Sequence, residues 1–204
     1  MATFSVERVR GMIGGAIILT LFAAFWSIVA LANWVARPSW TIPAAILATI
    51  ALLAISASRI SATRGIESLD DPIAEAQGKR AGMLFGIIFG VEGALIFLCS
   101  MVLANQHLEL WIPIGIALIV GVHFLPLAHV FEVPLYYGTG ALCVLGVLAC
   151  ALIGDTALRL LCAGLTMAAV LWGSVVLILF QTRNIPRALA TVSRSEDRPR
   201  GWRR

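Results

Sequence analysis

Charge is what this sequence has least of. Asp, Glu, Lys and Arg make up 13% of its 204 residues, about half the roughly 25% of soluble domains. A chain so poor in charge and so rich in apolar residues does not fit a water-soluble fold. Lysine is reduced to Lys79, every other basic residue being Arg. Histidine is scarce too, with only His107, His123 and His129, too few for the multi-histidine boxes of intramembrane haem or di-iron enzymes. The four cysteines, Cys99, Cys143, Cys150 and Cys162, form no C-x-x-C pair and all lie in apolar stretches. Free cysteine behaves there as a small hydrophobe, and no disulfide framework is expected. The sequence shows no Ser/His/Asp nucleophile set, no Walker motif and no G-x-S-x-G. No catalytic residue and no cofactor is therefore assigned.

What is present is apolar length. Hydrophobic residues make up 60% of the chain, with a mean hydropathy of +0.94. Six apolar segments can be read, at about 11–33, 42–60, 81–104, 110–129, 133–154 and 157–180, near the ~20 residues needed to cross a ~30 Å hydrocarbon core. The expected fold is all-α: a polytopic membrane protein, a bundle of six transmembrane helices over residues 1–181. An Arg-rich tail, 182–204, follows and is expected to be mobile. Ala30-Leu31-Ala32 resembles a signal-peptide cleavage site, but the apolar run before it exceeds the ~7–15 residues of a signal h-region. The first segment is read as an uncleaved helix.

The connections fit this division. Trp34 and Trp40 suit a membrane interface, and Pro43 falls in the first turn of segment two. Asp71-Pro72 reads as the cap and first residue of a helix leading into segment three, and Asp155-Thr156 caps segment six. The loop at 61–80 carries Arg64, Glu67, Asp70, Asp71, Glu75, Lys79 and Arg80. With the N-terminus inside, thirteen basic residues lie on the inner side, seven of them tail arginines, and only Arg37 and Arg159 lie outside. By the positive-inside rule both termini are expected in the cytoplasm. The tail arginines, Arg183, Arg187, Arg194, Arg198, Arg200, Arg203 and Arg204 beside Trp202, serve orientation and attraction to anionic lipid. Glu196 and Asp197 interrupt them, and they lack the aromatic spacing of a nucleic-acid arm. The partner implied is the bilayer, not nucleic acid.

Segment three carries two separate features. Gly82, Gly86 and Gly90 recur every four residues, a stripe on which another helix can pack closely, in this chain, in a second copy or in another membrane protein. Glu92, about 120° away at 100° per residue, is an acidic residue near mid-span, where a carboxylate costs about 2.5–3.5 kcal/mol on insertion scales. Protonation, a partner or a water-filled cavity must offset that cost. The residue reads as a proton- or cation-binding site, or as a carboxyl hydrogen-bonded between helices.

The densest chemistry lies at His123 to Gly140. Counted along their segments, His123 and Glu92 lie about 9 and 16 Å from the same face, close enough to pair if segments three and four are neighbours. Such a pair relays protons or fixes two helices. Pro126 interrupts segment four and is expected to kink it, and broken helices often line cavities. Tyr137 is placed with Glu92, His123 and Pro126 in a candidate ligand- or proton-binding set. His129-x-x-Glu132 is a weak metal-ligand spacing, and Pro126 and Pro134 argue against a continuous helix through it.

Gly121-Val122-His123-Phe124-Leu125-Pro126-Leu127-Ala128, then Pro134-Leu135-Tyr136-Tyr137 and Thr139-Gly140-Ala141-Leu142, resembles a G-x-H-F-x-P-L-A…P-x-Y-x-x-T-G pattern of small six-span bacterial integral membrane proteins. The likeness is close over residues 121–142 and looser over the segment layout. It implies a bacterial inner-membrane setting and marks segments four and five as the working region. It brings no activity with it. Two functions remain open on the sequence: a small-solute or proton- or ion-linked binding or transport module, and a non-catalytic structural or assembly subunit of a membrane complex.

Overall fold

A computed structural model describes residues 6–63 and 72–182. Its elements are six α-helices: α1 (Val6–Ala32), α2 (Thr41–Thr63), α3 (Pro72–Asn105), α4 (Ile112–Val130), α5 (Leu135–Ala151) and α6 (Thr156–Thr182). A single 3-10 turn, Glu109–Trp111, precedes α4. Five of the helices are long and apolar enough to cross a membrane. The remaining helix, α5, has 17 residues, about 25 Å at 1.5 Å per residue, the lower end of what spans a hydrocarbon core. Its apolar segment, expected at 133–154, is shortened because the chain turns at both ends. The tail arginines and Arg64, Glu67, Asp70 and Asp71 lie outside the described residues.

The helix ends follow local chemistry. Pro72 opens α3, where its missing N–H costs nothing. The Leu158 amide donates to Asp155 Oδ1 at 2.7 Å, capping α6 as its sequence implies. Helix α3 stops because His107 turns left-handed (φ 56°). The Leu108 amide then donates to Leu103 O at 2.8 Å and the His107 amide to Ala104 O at 3.0 Å, a Schellman closure. Inside the helices, hydroxyls of Thr20, Ser56 and Thr182 donate to the carbonyl four residues back. These hydroxyls are thereby satisfied without water, as an apolar solvent requires.

In space the helices follow the order α2–α1–α6–α5–α4–α3. The most extensive contact joins α1 to α6, and their facing residues Ile13, Trp26, Met167, Leu171, Val175 and Ile178 are fully buried. Two backbone approaches set the spacing. A Cβ on Gly164 would sit 2.7 Å from Ala30 N, and one on Gly140 would sit 2.8 Å from Gly121 O. Helices in lipid associate through such van der Waals contact, since lipid tails are as apolar as the side chains. A hydroxyl pair, Thr139 Oγ1 to Ser174 Oγ at 2.7 Å, links α5 to α6. Arg159, buried in the first turns of α6, lays its guanidinium 4.0 Å from the Trp111 ring centroid. That cation–π contact ties α6 to the start of α4, a role beyond the topology marker the sequence suggested.

Among the described residues nothing packs on the stripe of Gly82, Gly86 and Gly90. An added Cβ at any of the three meets nothing within 4 Å, because α3 turns its other face inward. There Phe85, Ile88 and Ile96 pack against the core. Alanine at Gly140 or Gly164 is therefore expected to destabilise the protein by about 1–3 kcal/mol through overpacking. Alanine at Gly86 is expected to leave stability unchanged or raise it by up to ~1 kcal/mol through helix propensity. Reversible unfolding in detergent measures both, and equal losses at Gly86 and Gly140 would contradict this packing.

Candidate functional site

Helix α3 is joined to the bundle mainly through α4, and three contacts mark the seam. Phe85 meets Phe131, just beyond α4, at 6.0 Å between ring centroids. Glu92 Oε2 lies 3.3 Å from His123 Nδ1. Cys99 Sγ lies 2.7 Å from where a Cβ on Gly115 would stand. Phe85, Glu92 and Cys99 are seven residues apart, so they fall on one helical face. Their partners step backward along the chain, as an antiparallel pair requires.

The pair the sequence suggested is therefore formed. Glu92 lies about 20 Å from the Asn105 end of α3, and His123 about 17 Å from the Ile112 end of α4. The two depths agree within one helical turn. The side chains are 6% and 9% exposed. Among the described residues Glu92 is the only buried one on α3. The single position at which this helix is enclosed is thus a carboxyl.

Carboxyl and imidazole at this distance can share one proton between Oε2 and Nδ1. Neutral acid beside neutral base, or carboxylate beside imidazolium, the pair carries no net charge in either arrangement. A net-neutral pair avoids the cost of an isolated ion in hydrocarbon. Adding or removing one proton charges it, which is the property a proton carrier needs.

The remaining candidates separate from this pair. Helix α4 runs unbroken through Pro126 to Val130; the missing amide at Pro126 frees Val122 O, one residue before His123, without ending the helix. Tyr137 is half exposed and lines a shallow depression of about 340 Å³ with Ala128, His129, Glu132 and Pro134. Neither Glu92 nor His123 lines that depression. His129 lies in the last turn of α4, while Glu132 is left-handed (φ 52°) beyond it. The Val133 amide donates to Ala128 O and the Glu132 amide to His129 O, the same closure that ends α3. The H-x-x-E spacing therefore does not lie on a helix. No group of three or more metal-ligating side chains occurs among the described residues.

Tyr136, not Tyr137, is the inward tyrosine. It is buried, packs 6.0 Å from Phe124, and brings its hydroxyl to 2.7 Å from a Cβ position on Gly15. Tyr136, Thr139, Gly140 and Cys143 form the buried face of α5, a spacing of three, one and three that was available in the sequence as one helical face. Gly121, Phe124, Leu127 and Ala128 do the same on α4. No protein-family model, curated protein or solved structure matches the chain.

Removing one member of a buried pair costs about 3–5 kcal/mol, while replacing both by apolar residues costs far less. His123→Leu is expected to destabilise the protein more than Glu92→Leu, because it leaves a carboxyl without its partner. The double variant is expected to be more stable than the sum of the single changes implies. A double-mutant cycle on detergent unfolding measures this coupling, and strict additivity would show that the contact contributes nothing.

Proposed function

We propose that this multi-pass membrane protein is a proton- or ion-linked binding or transport module for a small solute, in the bacterial inner membrane with both termini cytoplasmic. Glu92 is its protonatable group and His123 the partner that exchanges the proton with it. The observation that carries the reading is the 3.3 Å contact between two enclosed ionisable side chains at matching depths in two adjacent helices. Ionisable residues at such depth are costly and mark proton or ion pathways in membrane proteins. The excess of arginine at the chain ends and in the 61–80 loop supports the orientation, and the likeness of residues 121–142 to small bacterial membrane proteins supports the setting.

A second reading is favoured by one observation. The Gly82-Gly86-Gly90 stripe faces away from the bundle with open space before it, as a docking face for another helix requires. On that reading the chain is an assembly subunit, and Glu92 and His123 serve to hold α3 against α4.

Thermal unfolding in detergent from pH 5 to pH 8, with sodium, potassium and a panel of small metabolites, separates the two. The module reading expects a pH range or a solute that stabilises the wild type, and a Glu92→Gln protein that folds but loses that response. A Glu92→Gln protein that melts earlier, with no pH- or solute-dependent response in the wild type, overturns it in favour of assembly.

A further inference from the structure

Away from the Glu92–His123 seam, an apolar groove with a single charged residue at its end lies between α1 and α2. The groove, of about 510 Å³, separates these helices over their paired ends, walled by Ala24, Ile28 and Leu31 on α1 and by Ala45, Ile46 and Ile50 on α2. It is independent of the proposed proton pair. Its volume is within the ~300–1,000 Å³ of small-molecule sites. Residues 24–32 and 42–50 bound it, so it runs for about 12 Å at 1.5 Å per residue.

The lining decides what fits. Two hydroxyls reach the groove, Ser27 and Thr49. Each already donates to its own helix, Ser27 Oγ to Ala23 O and Thr49 Oγ1 to Ala45 O, both at 2.8 Å. The walls therefore act as apolar surface, and a polar solute would lose its hydration there without replacement. At one end stands Arg37, exposed, one of whose guanidinium nitrogens donates to Leu31 O at 3.2 Å. The planar fork has five N–H donors, so others remain to meet an anion. Arg37 is the only charged residue between Arg10 and Arg59. The N-terminal end of α2 follows at Thr41, and its helix dipole adds positive potential. Trp34 and Trp40 flank the same connection, at the level where indole rings meet lipid headgroups.

We propose that this groove is a binding site for one anionic phospholipid. The first part of an acyl chain lies between α1 and α2, the rest of the tail continues into the bilayer, and the phosphate sits on Arg37. The matched chemistry is an apolar slot about 12 Å long, ending at a lone guanidinium with free donors. Arginine suits phosphate because its fork engages two oxygens at once.

Purified protein is titrated with phosphatidylglycerol, with phosphatidylcholine and with inorganic phosphate, and unfolding temperature and retained lipid by native mass spectrometry are read together. The wild type is expected to retain one phosphatidylglycerol and to gain more stability from it than from phosphatidylcholine. Arg37→Gln is expected to lose that excess while keeping the response to phosphatidylcholine, and Arg37→Lys to keep part of it. Ala45→Phe, which fills the groove, is expected to lose retention of both lipids, with the circular dichroism of a folded helical protein confirming its fold. Retention of the full phosphatidylglycerol preference by Arg37→Gln overturns the proposal. So does lipid retention by folded Ala45→Phe, or an inorganic phosphate effect equal to that of the lipid.

Discussion

The contact between Glu92 and His123 is the one point, among the described residues, at which α3 is enclosed by the bundle. Four of the other helices are held in a continuous packed layer, α1 on α6, α6 on α5 and α5 on α4. Helix α3 has no such enclosure, and its one buried residue among those described is the acid. In water an apolar helix would be driven into the bundle by the hydrophobic effect. In lipid that drive is absent, so a polar contact at mid-depth weighs more in deciding which face of α3 turns inward. The glycine stripe, which would allow the closest approach, is left facing out.

The rest of the bundle uses a different device. Where α1 meets α6 and α4 meets α5, glycine removes the side chain that would hold the backbones apart, and Gly164 and Gly140 lie within contact of a neighbouring main chain. The Thr139–Ser174 hydroxyl pair and the Arg159–Trp111 stack then fix relative orientation. Close packing gives these four helices their cohesion, and polar contacts give them their register. Helix α2, whose buried residues among those described are Thr41 and Ser56, lies mainly along α1 and reaches α6 near its C-terminal end, where the Arg59 guanidinium donates to Leu179 O at 2.9 Å. At the opposite end of the α1–α2 pair the groove opens beside Arg37.

Much of the fold was legible in the sequence because crossing a bilayer demands long apolar runs, and length survives any packing arrangement. The six apolar segments follow from that alone, five of them long enough in the structure to span; the start of α3 at Pro72 and the Asp155 cap of α6 follow from local chemistry. The depth match of Glu92 and His123 was also legible, since helical rise fixes depth along a known direction. Which helices are neighbours was not. Four-residue glycine spacing looks the same whether it meets a helix or open space, so Gly82, Gly86 and Gly90 were read as a packing face; Gly140, whose Gly138-Thr139-Gly140 setting does suggest close helix contact, and Gly164, which carries no such signal, do the packing. Tyr136 and Tyr137 differ by 100° around a helix whose apolar residues surround it. The hydropathy pattern gives such a helix no inner side, and only the placement of α4 and α1 decides which tyrosine is buried. That His129 and Glu132 share no continuous helix was legible from the flanking prolines; that a left-handed Glu132 ends α4 without glycine was not.

On the proposed function the Glu92–His123 pair holds an exchangeable proton. Infrared difference spectroscopy of the protein in lipid, stepped between pH 8 and pH 5, tests it most directly. The account predicts a carboxyl band that changes on the step, disappears in Glu92→Gln and shifts in His123→Gln. A spectrum in which no carboxyl change is lost in Glu92→Gln would show that the proton does not exchange, and that the contact serves only to hold two helices together.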